Sequence, residues 1–586
     1  VGKTSLGEAI LHVTGTTNRL GDVNAKNSHL DFMEEEKVRG CSIDSATIHV
    51  KVKGKEINII DTPGAPDFIG PALCALAGIE TAVCVISATA GIEVNTRRMM
   101  EKAKQYGLGR MIVINKIDSN LDLGELLSGI QELFGTECQP VNLPAEKGTK
   151  VVNCFTNTEG QTDFGSVADA HTALIERVVE ADEKLMEEYL EAGEIDPAKL
   201  TGSMGKAIAA GTFVPIFFTN ARGEVGVREL LDFVADFCPS PLEGKQREFV
   251  EGDKRTPIKP DPAGPFVGLV YKVAADPKSN IKYSMVRILS GTIKSDSSIH
   301  INGERKAVRP GQLHKMQAAE HPEIDEGMAG DLVALAKLDT RIGDVLASEP
   351  TEAKIEMPPF PHPMFALAIE PKSRGDADKV SGALARFTEE DPCFQAERDP
   401  VTHELVIRGV GDLHLRTILS RMMTYFKLDV NTKPPRIPYR ETITGRVDNV
   451  EYTHKKQSGG AGQFGKVVIN LEPNERGKGY EFLDEIFGGT IDQAFRPSVD
   501  KGIQAQLKEG VIAGYPVVDV KVHLVDGKTH PVDSKDIAFQ IAGREAFKIA
   551  FTKCKPVLLE PIVHVEVTVP NENVGDIQGD LASRRG

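Results

Sequence analysis

Three short segments decide the fold of this chain: Gly2-Lys3-Thr4-Ser5, Asp61-Thr62-Pro63-Gly64 and Asn115-Lys116-Ile117-Asp118. A lysine in the position of Lys3 lies across the β- and γ-phosphates of a nucleotide, and the hydroxyl of Thr4 can ligate Mg²⁺. Each segment alone is a weak signal, since Gly-Lys-Thr is often an ordinary helix start. Their order along one chain is a strong signal, and it predicts a nucleotide site with Mg²⁺.

The second segment closes an apolar run, Ile57-Asn58-Ile59-Ile60. This run predicts a buried strand, which would place the Asp61 carboxylate at the carboxyl edge of a sheet, where it can support Mg²⁺. Gly64 has no Cβ, so its backbone N–H can come close to the γ-phosphate.

The third segment follows the apolar run from Met111 to Ile114 and selects the base. The Asp118 carboxylate can accept two hydrogen bonds, from N1–H and from the 2-amino group of guanine. Adenine offers no such pair of donors. We therefore predict that the nucleotide is GTP, and the predicted binding set also includes Gly2, Ser5, Asn115 and Lys116.

The composition is ordinary for a soluble protein of roughly four or five domains. The 586 residues are 40% hydrophobic and 26% charged, and no apolar stretch approaches the roughly 18 residues of a membrane span. The lack of such a stretch predicts that the protein does not contact membranes. Eight cysteines without a CxxC pair are typical of buried thiols in a reducing compartment, so we expect a cytoplasmic protein. The net charge of −16 excludes nonspecific RNA binding through bulk charge, so any RNA contact must use local patches.

Apolar periodicity divides the chain into regions of different type. A helical stripe from Leu6 to Val13 precedes several apolar runs, a pattern that predicts a parallel α/β sheet. These runs are at 57–60, 81–87, 111–115 and 213–218. An insertion near 136–210 carries one predicted acidic helix, about Val167 to Leu190, whose outer face we interpret as solvated. After a proline-rich linker, short strands from Phe266 to about Ser348 predict an antiparallel β-barrel.

This organisation resembles that of translation elongation factor G over the whole chain. Beyond the three motifs, the resemblance rests on Arg39-Gly40 with Ile43, Glu390 to Pro392, Gly409 to Leu415, Lys456 to Gly460, Ala513 to Asp519 and Pro556 to Pro561. It implies a multidomain α/β and β architecture, in which α+β domains of ferredoxin-like and ribosomal-protein-like type follow the barrel. The expected domains are a P-loop GTPase domain at 1–245, the β-barrel at 246–352, a ferredoxin-like domain at 358–435, an elongated α+β domain at 436–556 and the start of a second ferredoxin-like domain at 557–586.

The resemblance also assigns roles to residues outside the three motifs. Ser42 occupies the position of a threonine that ligates Mg²⁺ in the first switch, and the amide of Ala221, in Asn220-Ala221, would read the guanine O6. The resemblance implies that a hairpin with Ser458, Gly459 and Gly460, and a second loop with His530, reach the decoding centre of the ribosome. A tight hairpin that needs positive φ explains the glycines equally well. The implied partners of this expected monomer are ribosomal RNA and proteins together with tRNA and mRNA.

The second switch departs from the family pattern. The family usually has a histidine after Asp-Thr-Pro-Gly, and that histidine orients the attacking water; here the position is Ala65, followed by Pro66. Cys41 replaces a usual isoleucine. Loss of a group that transfers a proton or positions water typically costs about 10²–10⁴ in rate. We therefore expect Gly64 and Ala65 to form an altered hydrolytic position, as in the divergent second subfamily of elongation factor G.

These features predict a GTP-binding, ribosome-stimulated GTPase of the translocase type, with hydrolysis slowed by Ala65. One alternative is a ribosome-binding factor that works by nucleotide exchange with little hydrolysis, and another is a ribosomal-protection or recycling factor. The form of the Gln457 to Gly460 hairpin argues against ribosomal protection. The motif pattern further predicts that the reading frame extends beyond both ends, so that the phosphate loop and the last domain are incomplete and the 586 residues bind GTP weakly.

Overall fold

A computed structural model of the chain describes residues 2–119, 121–192, 195, 197–276, 279, 281–456 and 462–586. The chain forms two compact units, Val1–Glu397 with Ile407–Lys433, and Arg398–Val406 with Pro434–Gly586. Within the described ranges, no helix has both the length and the apolar character needed to cross a membrane.

The first unit opens with the region that carries the three motifs. Its elements are α1 Lys3–Val13, α2 Glu34–Arg39, β1 Ala46–Val52, β2 Lys55–Asp61, α3 Ile69–Leu76, β3 Thr81–Ser87, α4 Val94–Gln105, β4 Gly109–Asn115, α5 Leu123–Phe134, β5 Cys138–Pro140, β6 Asn142–Ala145, β7 Lys150–Asn153, α6 Val167–Val179, α7 Glu183–Ala192, α8 Pro197–Ala210, β8 Val214–Thr219 and α9 Val227–Phe237. The predicted alternation of strands and helices in an α/β architecture is confirmed.

The parallel sheet of this region has the strand order β3-β4-β8-β5. All residues of β4 and β8 are buried, as expected for strands covered by helices on both faces. The register pairs Ser87 with Asn115 and Asn115 with Thr219, so the carboxyl ends of three strands form one edge. This edge carries Asn115 of the third motif.

The placement of the run 57–60 in the parallel sheet is wrong. It lies in β2, which pairs antiparallel with β1, and the described residues show no ladder between β2 and β3. A groove of about 780 Å³ separates the two strands. Val83 in the middle of β3 is consequently 43% exposed. The run is apolar because it lines this groove and packs on the core, rather than because it has strands on both sides.

The prediction of a single acidic helix at 167–190 is also wrong, because the structure has two helices there. The first, α6, ends at Val179, and the second, α7, begins at Glu183. The backbone turns between them through hydrogen bonds from Ala181 N to Val178 O and from Asp182 N to Val179 O. These tighter contacts replace the regular helical ladder without a glycine or a proline.

Antiparallel strands follow, as predicted for the barrel. They are β9 Glu248–Glu251, β10 Lys254–Pro257, β11 Val267–Ala275, β12 Lys282–Ser290, β13 Thr292–Lys294, β14 His300–Ile301, β15 Leu313–His314, β16 Glu323–Ile324, β17 Glu326–Met328, β18 Leu332–Ala336, β19 Val345–Ala347 and β20 Lys354–Ile355. Seven of them form one sheet in the order β14-β19-β11-β12-β18-β15-β16. Alternate side chains of β11 and β12 contribute to two buried clusters, so this sheet is apolar on both faces.

The next region mixes strands with two helices. Its elements are β21 Phe365–Pro371, α10 Ala377–Glu390, β22 Gln395–Arg398, β23 Leu405–Gly409, α11 Asp412–Phe426 and β24 Val430–Lys433. Strand β21 pairs antiparallel with β24. Buried Phe387 of α10 and Met422 of α11 belong to its apolar interior.

The second unit is an α+β structure. Its elements are β25 Arg440–Ile443, β26 Val447–Lys456, β27 Gln463–Pro473, β28 Tyr480–Asp484, α12 Arg496–Glu509, β29 Val520–Lys528, α13 Asp536–Lys553, β30 Pro556–Leu559 and α14 Val574–Ser583. The main sheet has the order β26-β27-β29-β28, and β28 runs parallel to β29. Fully buried phenylalanines of α13, Phe539, Phe547 and Phe551, lie in its core.

Candidate nucleotide site

Helix α1 begins at the first motif. Gly2 has φ of +90°, a left-handed conformation that favours glycine. A Cβ there would lie 2.6 Å from Nδ2 of Asn115, which donates to the Gly2 carbonyl at 3.3 Å. The start of α1 and the third motif are therefore in direct contact.

Three oxygen-bearing side chains meet on the opposite side of the first motif. The Thr4 hydroxyl donates to Oδ2 of Asp61 at 2.9 Å and lies 3.0 Å from Oγ of Ser42. Burial raises the pKa of Asp61 to about 6, against the opposing effects of the Lys3 ammonium and the Thr4 hydroxyl. The structure thus brings together the three residues that the sequence predicted as the metal arm.

This arm fits Mg²⁺ by the chemistry of its donors, which are hydroxyl and carboxylate oxygens. A fourth oxygen group, Asp31, accepts from the Ser42 hydroxyl at 2.7 Å. Its other oxygen, Oδ2, is buried and has no hydrogen-bond partner among the described residues. The described residues contain no group of three His, Cys, Asp or Glu side chains that could hold a metal ion. The described side chains therefore do not form a complete metal site by themselves.

Asn115 organises the base side of the site. Its Oδ1 accepts from the amide of Lys116 at 2.9 Å and from the amide of Ala221 at 3.0 Å. The Ala221 amide, which the resemblance assigned to guanine O6, is therefore engaged with Asn115 in this structure. The neighbouring Asn220 side chain accepts from the Gly223 amide at 3.2 Å, which shapes the turn after β8.

Asp118 lies on the same side of the site, with an exposed side chain. The turn between β6 and β7 packs closely against the backbone just before Asp118. A Cβ at Gly148 in this turn would lie only 2.3 Å from the Ile117 carbonyl oxygen. The exposed carboxylate of Asp118, on a backbone held in place by this turn, suits recognition of a base edge.

Ser5, the remaining residue of the predicted binding set, is half-buried in the first turn of α1.

The second switch lies across the first motif. A Cβ at Gly64 would lie 2.5 Å from Nζ of Lys3. Asn95 at the start of α4 donates its side-chain N–H to the Gly64 carbonyl at 2.9 Å. Ala65 is extended, with φ of −72° and ψ of 138°, and it precedes the short 3₁₀ turn Pro66–Phe68. Its methyl group can neither donate nor accept a hydrogen bond.

Sequence reasoning missed Glu8, Asp31, Glu36 and Asn95. Glu36 is 2% exposed and accepts the amides of Ile43 and Asp44 at 2.9 and 3.2 Å. The spacing of Thr4 and Glu8, one helical turn apart, is a sequence signal that points to a shared face of α1. No comparable signal existed for the others, since they lie in loops or contact loops.

The predicted ribosome contacts lie in the second unit. Ser458, Gly459 and Gly460 lie outside the described residues. His530 is 49% exposed at its side chain, and its amide donates to Oγ of Ser534 at 2.8 Å. The ring of His530 lies 5.9 Å from that of Phe464, next to the described end of the hairpin β26–β27. The loop of His530 and this hairpin therefore share one end of the sheet.

A helix that begins at Gly-Lys-Thr, a hydroxyl–carboxylate metal arm and an Asn-Lys-x-Asp edge define the class of GTP-binding proteins. Comparison with family models agrees: residues 1–240 match the elongation factor Tu GTP binding domain. Three further models match in order, namely elongation factor G domain 2 at 265–349, domain III at 360–434 and domain IV at 435–555. The chain belongs to the elongation factor G family of translational GTPases.

A solved structure from Thermus thermophilus, described as the crystal structure of ttk003000868, is similar over the full length of this chain. The two sequences are 32% identical, and the TM-score is 0.84. The match covers 100% of this chain and 88% of that one. A TM-score this high over the full chain shows that the two proteins share their fold.

Proposed function

We propose that this protein binds GTP with Mg²⁺ and acts on the ribosome in the movement of tRNA and mRNA, with slow GTP hydrolysis. The nucleotide part of the proposal rests above all on one observation: the Thr4 hydroxyl donates to Asp61 and lies 3.0 Å from Oγ of Ser42, while Ala65 occupies the position after Gly64. The binding side chains are thus assembled, and the group that would handle the attacking water is a methyl group.

In the proposed reaction a water oxygen attacks the γ-phosphorus, the bond from that phosphorus to the β–γ bridging oxygen breaks, and GDP and inorganic phosphate form. Mg²⁺, held by Thr4, Ser42 and Asp61, would neutralise charge on the phosphate oxygens. The Lys3 ammonium would contact the β- and γ-phosphates, and Asp118 would orient the base. Residue 65 offers no group that could accept a proton from the attacking water.

The second unit would carry the RNA contact. Lys455 and Lys456 are exposed at the end of β26, on the same hairpin as the predicted tip residues. With a net charge of −16, the protein needs such local positive charge to approach phosphates. We place this hairpin and His530 at the decoding centre, and we propose that the protein works there as a cytoplasmic monomer.

A translocation assay on pre-translocation ribosomes tests this function. We expect movement of mRNA that depends on the protein and on GTP, and a charge reversal at the tip, Lys455→Glu, should reduce it about tenfold or more. Lys478→Glu is the matched control, because Lys478 is exposed in the same unit but lies at the other end of β27. Absence of movement with the unsubstituted protein would overturn the translocase assignment.

The second candidate is a ribosome-binding factor that exchanges nucleotide with little hydrolysis, and Ala65 favours it. Multiple-turnover phosphate release with ribosomes separates the two. Ribosome binding without steady phosphate release would favour the exchange factor, whereas release coupled to translocation would favour the translocase.

A further inference from the structure

Glu8 is a buried carboxylate that the proposed reaction does not use. It is 0% exposed, and its carboxylate meets four polar groups of one short segment. Oε1 accepts from the Ser28 hydroxyl at 2.7 Å and from the amides of His29 and Leu30 at 2.6 and 3.0 Å. Oε2 lies 2.8 Å from Nδ1 of His29. Burial of a carboxylate is costly unless it is fully hydrogen-bonded, so this cluster needs an explanation.

The same segment is pressed against α1. A Cβ at Gly7 would lie 2.4 Å from Cδ1 of Leu30, and a Cβ at Gly21 would lie 2.1 Å from Oε2 of Glu8. Both glycines thus permit contacts that a larger residue would disrupt. Gly7, Glu8 and Thr4 form one face of the helix, and the residues that follow Gly21 cover that face.

The contacts continue from this segment to the metal arm. The Ser28 hydroxyl accepts from the amide of Asp31 at 3.1 Å. Asp31 is 3% exposed and accepts from the Ser42 hydroxyl at 2.7 Å. Ser42 in turn lies 3.0 Å from Oγ1 of Thr4, one helical turn before Glu8. Helix α1 therefore contacts the loop at two points, at Glu8 through hydrogen bonds and at Thr4 through its 3.0 Å contact with Ser42. Hydrogen bonds through Asp31 join Ser28 to Ser42 between these points.

We propose that Glu8 is a positioning residue for the metal arm: it fixes residues 28–31 on α1 and, through Asp31, sets the hydroxyl of Ser42 beside Thr4 and Asp61 before nucleotide binds. This inference rests on the proposed function, since it assigns Glu8 a role in the GTP·Mg²⁺ site. Glu8 acts through Asp31 and Ser42 and does not contact the metal itself.

If Glu8 had a purely structural role, its substitution would give a different experimental result. A buried carboxylate that only stabilises the fold would change stability when it is substituted, without a specific effect on Mg²⁺. Groups that orient metal ligands typically change metal affinity by about 10–100-fold when they are altered. The dependence of GTP binding on Mg²⁺ concentration is therefore the readout that separates the two roles.

The first arm of the test needs no nucleotide. Hydrogen exchange of the full chain, followed by mass spectrometry, should show protected amides at 28–31. In Glu8→Gln the exchange there should accelerate about tenfold, because hydrogen bonds to a charged acceptor are stronger than those to an amide oxygen. Unprotected amides in the unsubstituted protein, or exchange that Glu8→Gln leaves unchanged, would overturn the proposal.

The second arm measures the Mg²⁺ concentration that half-saturates binding of a fluorescent GTP analogue. We expect an increase of about 10–100-fold in Glu8→Gln, with binding restored at high Mg²⁺. An unchanged midpoint together with faster exchange would overturn the proposal and leave Glu8 as a structural group only. Total lack of GTP binding by the unsubstituted protein would instead refute the proposed function, and the exchange arm would still decide whether Glu8 fixes the segment.

The chain offers a matched control in Glu441 of the second unit. Glu441 is also 0% exposed and accepts four backbone amides, those of Val511, Ile512, Ala513 and Tyr515. Glu441→Gln should accelerate exchange at 511–515 and leave both 28–31 and the Mg²⁺ midpoint unchanged. If Glu8→Gln fails to fold, Ser28→Ala removes one bridge of the same path and should shift the midpoint in the same direction by a smaller factor.

Discussion

The two halves of the nucleotide site differ in how their side chains are held. On the metal arm, Thr4, Ser42, Asp61 and Asp31 contact one another at 2.7–3.0 Å. At the second switch, Asn95 holds the carbonyl of Gly64, and the next side chain is a methyl group. From this contrast we expect binding and hydrolysis to be separable by substitution at residue 65, because the contacts among Thr4, Ser42, Asp61 and Asp31 do not involve that residue.

The largest effect should come from restoring a proton-transferring group at residue 65. Ala65→His should raise single-turnover GTP hydrolysis on ribosomes about 100-fold, near the lower limit for such groups. Recovery should be incomplete, because Pro66 restricts the backbone of residue 65 and Cys41 alters the first switch. Stopped-flow phosphate release measures the rate.

Ala65→Leu is the control for this experiment, since it adds volume without a group that can handle a proton. Its rate should remain that of the unsubstituted protein. A fast unsubstituted rate that Ala65→His does not change would show that another group positions the water, and it would remove the contrast between the two halves.

Base selection tests the binding half next. Asp118→Asn should weaken GTP and favour xanthosine triphosphate, whose 2-oxo group accepts a hydrogen bond where guanine donates one. By analogy with bidentate base contacts, the shift in preference should be about 1–3 kcal/mol. Competition between the two nucleotides in a binding titration measures it.

Asp122→Asn provides the matched control, because Asp122 caps α5 through the Glu125 amide and asparagine can replace it there. This variant should keep the preference for GTP. An unchanged preference in Asp118→Asn would exclude Asp118 from the base site.

The fold was predictable where burial and strand pairing coincide. The residues of β4 and β8 are apolar throughout and lie inside the sheet, so their sequence pattern indicates both properties. For β2, burial and pairing within the parallel sheet do not coincide. Ile57 and Ile59 pack on the core of the first unit, yet the strand borders a groove, and an apolar pattern reports burial rather than hydrogen-bond partners.

The site was predictable only as far as its motifs reach. Lys3, Asp61 and Asn115 lie at the ends of regular elements, so the order of the elements along the chain predicts that they converge. Asp31 and Glu36 act through a loop whose path depends on contacts with α1 and with its own backbone amides. Such contacts leave no periodic pattern in the sequence, so local patterns could not predict them.

The stability of the first switch should depend on pH through Glu36, which accepts the amides of Ile43 and Asp44. Burial raises the pKa of Glu36 from 4.5 to about 7, against the hydrogen bonds from the Ile43 and Asp44 amides. Between these two values the folded protein holds a proton that the unfolded segment releases. The contribution of Glu36 to stability therefore falls as the pH rises from about 4.5 to 7, and then levels off.

Glu36→Gln should remove this dependence, which amounts to about 2 kcal/mol between pH 5 and pH 8. The free energy of opening of residues 33–44, measured by hydrogen exchange at the two pH values, gives the quantity. Glu34→Gln is the control, because Glu34 lies on the same helix with a side chain that is 75% exposed. Equal pH dependence in Glu36→Gln and in the unsubstituted protein would contradict the assignment.

The smallest effect should come from Asn95, and it bears directly on the hydrolytic half. Asn95→Ala removes the 2.9 Å hydrogen bond to the Gly64 carbonyl. A partly exposed bond of this kind contributes about 0.5 kcal/mol, at the low end of the usual range, so ribosome-stimulated hydrolysis should fall only about two- to threefold. Asn95→Asp keeps Oδ1 but turns a carboxylate oxygen toward the Gly64 carbonyl oxygen, so its rate should fall at least as far as that of Asn95→Ala. A different outcome is informative, because Oδ1 of Asn95 is buried without a partner among the described residues. If Asn95→Ala lowers the rate tenfold or more and Asn95→Asp does not, this oxygen rather than residue 65 would orient the water, and the two halves of the site would no longer be separable.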